Sequence, residues 1–365
     1  MEDFVLIHLG SGALGLGFIV PIFNNSKYVK KSFICNRTKS GSSIERNEIL
    51  KEERRYYVLS GNSKDCINFT GFISLDEEFD VLLDLIKNEK NIILTTALKE
   101  YGIKEQIARI AELIYTYTLK KGANPLTILP CENALDADTL KSYVLKYYEN
   151  NHINYDSVSF HNNVLFLPCV VDRICNKPIV SANKDVVVKA ERFGSLIVLD
   201  PYSSVRNLLE NEYITVVPEI EPYVRRKKWT VNALHQVLSI YAWYYSYPFL
   251  NVFLRSELGS EILNGVTEEI YKVYVFNETD LNMIGEARSI FDSLKIRMLH
   301  SPSHVNTALT RLSRPDNLPS FYADFYRKLG HPTLNYLECT KRPLYWIPLV
   351  ILKLSKIITE NKYIR

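Results

Sequence analysis

The chain has 365 residues, 47% of them hydrophobic and 23% charged, which excludes a disordered or fibrous protein. Two packed cores are expected, because single cores stop growing near ~250 residues. With 44 basic and 41 acidic side chains the formal net charge is +3, which provides no general surface for nucleic acid or membrane, so any affinity for anions must be local.

The six cysteines, Cys35, Cys66, Cys131, Cys169, Cys175 and Cys339, form no Cys-x-x-Cys pair. Neither a zinc site nor a disulfide framework is expected, and a reducing, cytoplasmic setting fits best. The opening MEDFVLIHLG places acidic residues ahead of a short apolar run, the reverse of a secretory leader, and reads as a first strand.

In chain order, the β-rich run at residues 3–9 is followed by a glycine-rich turn and a helix start from Phe18 to Phe23. Further β-type runs lie at Lys31 to Cys35, Tyr56 to Leu59, Asn91 to Leu94 and Leu126 to Leu129, with an amphipathic helix from Ile103 to Leu119 between the last two. This alternation predicts an α/β fold: a Rossmann-type, doubly wound parallel sheet with helices on both faces. From Ser157 to Val198 a series of short β-type runs predicts a partly antiparallel extension of that sheet. Helical spacing then dominates, over Trp229 to Tyr245, Glu257 to Tyr274 and Ala287 to Leu294. We therefore expect a dinucleotide-binding domain over 1–218 and a mostly helical substrate domain over 219–365. The apolar run Pro343 to Leu354 is too short to span a membrane and reads as a buried helix.

The turn Gly10-Ser11-Gly12-Ala13-Leu14-Gly15 carries the spacing GxGxxG between a strand and a helix. Its glycines allow a tight turn and close approach of a pyrophosphate, and the helix N-terminus supplies oriented N–H groups. The next strand ends on Asn36-Arg37-Thr38-Lys39-Ser40, where an acidic residue would bind the adenosine ribose of NAD. Amide, basic and hydroxyl groups there suit a 2′-phosphate, so NADP(H) is favoured over NAD(H). Thr96, at the end of a later strand, is a further cofactor-binding candidate.

Hydride transfer to a ketone builds negative charge on oxygen and requires a proton donor with fixed hydrogen-bond donors. Lys227, Asn232 and His235 offer these groups at offsets 0, +5 and +8, with Lys227 reaching in from a first helical turn. No His, Asp and Glu grouping at ligand spacing appears, so no metal is expected.

The Lys-x4-Asn-x2-His pattern in YVRRKKWTVNALH resembles the catalytic signature of the long-chain polyol dehydrogenases, in particular the mannitol-1-phosphate dehydrogenases. HLGSGALGLGFI, ILTTALKEYGI, PCENAL and CVVDRI resemble further family segments in the family's order, between residues 8 and 235. The resemblance implies that Lys227 is the general acid and base, that Asn232 and Asn133 hold the reacting oxygen, and that His235 orients the substrate. Asp172 and Arg173 would brace the site as an ion pair, and Arg311 and Arg314 would hold a substrate anion.

The departures matter as much. Arg225 stands where the family has an acid, Ala233 and Leu234 replace small residues before the histidine, and Lys99 replaces a glycine. Arg225, Arg226 and Lys228 would add positive charge around Lys227. The expected partner is a small polyol or ketone, phosphorylated or carboxylated, turned over by a monomer or homodimer without nucleic acid or membrane. Two alternatives keep the same fold: a cofactor-binding sensor, and an epimerase that retains its dinucleotide.

Overall fold

The computed structural model describes residues 3–38, 43–120, 122–132, 136–200, 209, 211–300 and 305. The chain divides into two compact units, Met1–Ile220 and Glu221–Arg365.

In the first unit, six strands form one parallel sheet: β1 (Phe4–Leu9), β2 (Val29–Asn36), β5 (Gly71–Ser74), β6 (Ile92–Thr96), β7 (Leu126–Pro130) and β8 (Val164–Phe166). Their order is β5-β2-β1-β6-β7-β8, all pairs parallel. This is the doubly wound order, with its switch point between β1 and β6, where ligands bind at the carboxyl ends of the strands. Every side chain of β1, β6 and β7 is buried, as expected of central strands covered on both faces.

Side chains alternate across the sheet. Val5, Ile7 and Leu9 join Ile92 and Leu94 in a core with Ile103, Ile110, Leu113 and Ile114 of α4 (Lys99–Thr118). Phe4 and Leu6 point the other way, onto Phe18, Ile19, Ile22 and Phe23, which lie in a π-helical turn (Gly15–Ile19) and α1 (Val20–Asn24). Each such fully buried Leu, Ile or Phe contributes about 1.5–3 kcal/mol over its exposed state. Helices α2 (Ile44–Glu53), α3 (Phe79–Asn88) and α5 (Ala137–Asn150) complete the layers.

The remaining strands correct the expected single extended sheet. The run at Tyr56 to Leu59 is a strand, β3 (Arg55–Ser60), but it belongs to a second sheet with β4 (Ser63–Asn68), β10 (Ile179–Val180) and β11 (Val186–Ala190), in the order β10-β11-β3-β4. The alternating burial of β3 explains why: only one of its faces meets a core. A third sheet, β13-β12-β9, combines the antiparallel pair β9 (Cys169–Asp172) and β12 (Ser195–Leu199) with β13 (Ile214–Val217), parallel to β12. Residues Ser157–Asn163, read as β-type, form helix α6 instead. The Asp156 carboxylate caps it by accepting the Val158 N–H at 3.0 Å, a local bond that outweighs the β propensity of this short run.

The second unit is helical. Helix α7 (Glu221–Lys227) runs through a π-helical turn (Lys228–Asn232) into α8 (Ala233–Tyr244), followed by α9 (Leu250–Leu254), α10 (Glu257–Asn277) and α11 (Leu281–His300). The first helix thus begins at Glu221 rather than near Trp229, with its acid at the N-terminal end, where the helix dipole favours it. Among the described residues no helix is long and apolar enough to cross a membrane. The run from Pro343 to Leu354 lies outside the described residues.

Candidate active-site residues

The glycine turn leaves β1 at the switch point. Gly10 has φ 123, and a Cβ there would meet the Ala97 carbonyl oxygen at 2.8 Å, so only glycine turns the chain here. Gly12, Ala13 and Leu14 lead into the π-helical turn, whose first residue, Gly15, sits against the His8 imidazole with no room for a side chain. His8 is fully buried on β1; its Nδ1 lies 2.7 Å from Thr95 Oγ1, while its Nε2 has no hydrogen-bond partner. Burial pulls its pKa down to about 3, so the ring is neutral.

Ser11 is the centre of a buried polar cluster. Its hydroxyl donates to Asn47 Oδ1 at 2.7 Å and accepts from Asn36 Nδ2 at 2.5 Å and from Arg46 NH2 at 3.0 Å. One donor and two lone pairs are thereby all used. Asn47, itself buried, passes its amide on to the Arg37 carbonyl at 2.7 Å. Arg46 and Asn47 were not singled out in the sequence.

The other residues at the end of β2 have protein partners. Arg37 forms an ion pair with Glu105 of α4 at 3.1 Å. Thr38 Oγ1 lies 2.6 Å from Ser74 Oγ and 3.1 Å from Glu77 Oε2. Lys39 and Ser40 lie outside the described residues.

Thr96 is buried at the carboxyl end of β6, and its carbonyl accepts the Cys131 N–H at 3.0 Å. Beside it, the Glu132 carboxylate accepts from the backbone N–H groups of Leu98 (2.6 Å) and Lys99 (2.8 Å). Burial raises the Glu132 pKa despite these bonds. Glu132 ties the PCENAL turn to the start of α4, a role the sequence did not reveal because its partners are backbone groups more than thirty residues away. Lys99 itself is held at φ 62. Asn133 lies outside the described residues.

Asp172 ends β9. Arg173 Nε donates to the Glu191 carbonyl at 3.0 Å, and its guanidinium lies 5.3 Å from the Phe18 ring centroid. The Glu191 carboxylate in turn accepts the Ile174 N–H at 2.6 Å, bracing the CVVDRI segment from a residue the sequence had not marked.

In the second unit, Lys227 ends α7, Asn232 ends the π-helical turn and His235 lies in α8. Residues five apart are about 140° apart around an α-helix, but an i→i+5 turn brings them toward one face. The π-helical turn Lys228–Asn232 thus turns Lys227 and Asn232 closer to one face than a uniform α-helix would, and His235 follows Asn232 at α-helical spacing. Lys227 and Asn232 are half-buried and His235 is buried.

The arginines beside Lys227 are not free charges. Arg225 pairs with the buried Glu278 at 3.0 Å, and Arg226 lies 3.8 Å from Glu286. Although burial opposes it, hydrogen bonds from the Asp280 N–H, Arg225 and the Thr279 N–H hold the Glu278 pKa below its usual value. The expected positive rim around Lys227 is thus largely neutralised where Arg225 and Arg226 are concerned. Arg311 and Arg314 lie outside the described residues.

Among known proteins, the model of the mannitol dehydrogenase Rossmann domain matches residues 5–210. Mannitol-1-phosphate 5-dehydrogenase of Caldanaerobacter subterraneus is 24% identical over 268 residues, covering 72% of this chain. The chain thus spans 65% of that relative's length. The enzyme of the same name from Aspergillus clavatus is 23% identical over 344 residues, 92% of this chain and 78% of the relative. Two solved structures share the fold at 13% identity: a D-sorbitol dehydrogenase in substrate-free form (TM-score 0.70, 91% of this chain and 78% of that one), and Pseudomonas fluorescens mannitol 2-dehydrogenase (TM-score 0.62, 91% and 76%). The doubly wound sheet and its glycine turn, and a Rossmann-domain match over more than half of the sequence, place the chain in the mannitol dehydrogenase family.

Proposed function

We propose that the protein is an NAD(P)-dependent oxidoreductase that interconverts a secondary alcohol and a ketone, with Lys227 as general acid and base, no metal, and NADP(H) favoured over NAD(H). The observation that carries this reading is the π-helical turn Lys228–Asn232 between Lys227 and His235, a geometry that favours Lys227 and Asn232 turning toward one face of the helix, in a chain that also bears the glycine turn. The glycine turn fits a dinucleotide: it leaves β1 at the switch point and leads into a helical turn, and the buried Arg46 guanidinium is hydrogen-bonded to its Ser11. Bound there, the nicotinamide would supply or take up the hydride.

In the reductive direction the Lys227 ammonium gives a proton to the carbonyl oxygen; in the oxidative direction its neutral amine removes the alcohol proton. The amides of Asn232 and Asn133 donate hydrogen bonds to the same oxygen, which stabilises the charge that develops on it. His235 orients a neighbouring substrate hydroxyl. The substrate class is a polyol or the corresponding ketone, phosphorylated or carboxylated. Because Leu234, in place of a small residue beside His235, would narrow the cavity or make it more apolar, mannitol 1-phosphate is not assigned as the substrate.

The test is nicotinamide absorbance with a panel of polyols, sugar phosphates and keto acids. Lys227→Ala is expected to lower kcat about 10²–10⁴-fold, with dinucleotide affinity unchanged. A wild-type protein that binds dinucleotide but turns over none of the panel is a sensor, and the enzymatic reading fails. A dinucleotide that stays bound through purification, with substrate converted and no net change in absorbance, would identify an epimerase.

A further inference from the structure

A buried guanidinium needs an anion, because it stays protonated at any physiological pH and its burial is uncompensated unless charge and hydrogen bonds meet it. Arg46 is 8% exposed on α2, and its Nε is buried without a hydrogen-bond partner. Its partner is the Ser11 hydroxyl at 3.0 Å, and no carboxylate pairs with it among the described residues. Its surroundings place it where the adenosine ribose of a dinucleotide lies: Ser11 belongs to the glycine turn after β1, and Asn36, on the same hydroxyl, ends β2.

Two alternatives at that corner are weaker. The Arg37 guanidinium already faces Glu105 at 3.1 Å, and its charge is offset there. Thr38 sits 3.1 Å from Glu77, whose carboxylate repels a phosphate. Asn36, in the place of the usual acid, donates to Ser11 and accepts the Arg37 N–H at 2.9 Å, so it adds no negative charge against a phosphate. Ser11 and Asn47 use their hydrogen-bonding groups within the cluster and fix the position of Arg46.

We infer that Arg46 is the specificity-determining residue for the cofactor, its guanidinium taking the 2′-phosphate of the adenosine ribose while Ser11, itself held by Asn36 and Asn47, fixes it beside the end of β2. This rests on the NADP(H) preference proposed above and assigns it to one residue, on a helix rather than in the β2 loop.

The probes are adenosine 2′,5′-bisphosphate and adenosine 5′-monophosphate, titrated calorimetrically into the full-length protein alongside NADPH and NADH. Wild type is expected to bind the bisphosphate about 10- to 100-fold more tightly than the monophosphate. Arg46→Gln should bring that ratio close to one and leave monophosphate binding unchanged; Arg37→Gln, at a half-exposed position, should leave the ratio intact. If wild type binds NADH and shows no preference for the bisphosphate, the NADP(H) reading itself fails. If the preference exists but survives in Arg46→Gln, or collapses in Arg37→Gln, the assignment to Arg46 is overturned. Equal weakening of both probes in Arg46→Gln would make Arg46 a support of the turn or of the pyrophosphate, which overturns the assignment too. Should Arg46→Gln not fold, the Arg37→Gln ratio still decides, and Arg46→Lys, which keeps the charge, is expected to retain part of the discrimination.

Discussion

His8 lies one residue before the end of β1, at a position where strands of this kind usually carry an apolar side chain. It faces Gly15, is held by Thr95, and stays neutral because charging it would place an unsolvated cation under the glycine turn. Its folded pKa, about 3, lies below the unfolded value near 6.5. Its contribution to stability is therefore complete above about pH 6.5 and is lost as pH falls toward 3, because the unfolded chain takes up a proton that the folded chain refuses. Between pH 7 and 4.5 this amounts to about 3 kcal/mol. Denaturant titrations should show that loss in wild type and a shallower slope in His8→Gln; equal slopes would exclude His8 as the source. Neither the role of His8 nor that of Arg46 was legible in the sequence, since a histidine in a strand and an arginine in a helix are common and only their buried partners give them meaning.

At the scale of elements, the two π-helical turns stand at the glycine turn and between Lys227 and Asn232. The sequence spacing Lys-x4-Asn identified the residues, whereas a uniform α-helix would have kept them on different faces. The start of α4 shows the opposite relation. Lys99, where the resemblance implies a glycine, keeps a left-handed backbone, φ 62, under two hydrogen bonds to Glu132. Lys99→Gly is expected to stabilise the protein by up to about 1 kcal/mol, since the strain of a Cβ in this conformation exceeds the added freedom of the unfolded chain; a lower melting temperature would contradict this. Helix α5 is capped by Asp136, which accepts the Thr139 N–H at 2.7 Å. Asp136→Ala should cost about 1 kcal/mol, measured by thermal unfolding, and Asp136→Asn should recover most of it.

For the whole molecule, the proposed chemistry asks a lysine and amides to polarise the reacting oxygen, the task zinc performs in other alcohol dehydrogenases. Prolonged incubation with a chelator is expected to leave turnover unchanged. A loss of activity restored only by zinc would overturn the lysine mechanism. Light scattering across the working concentration range should report one or two copies of the chain.

The sequence by itself determined the doubly wound unit, its glycine turn and the family. These rest on contiguous signals: unbroken apolar runs for buried strands, helical spacing for the covering layers, glycines where a side chain cannot fit. Tertiary structure decided what no contiguous stretch encodes. It assigned Arg55–Ser60 to a second sheet, turned Ser157–Asn163 into a capped helix, paired Arg225 with Glu278, and carried Arg46 to the hydroxyl of Ser11. The reason is physical: local conformation follows from neighbours along the chain, but the partner of a buried charge or of a strand edge is chosen by whichever distant group packing leaves beside it.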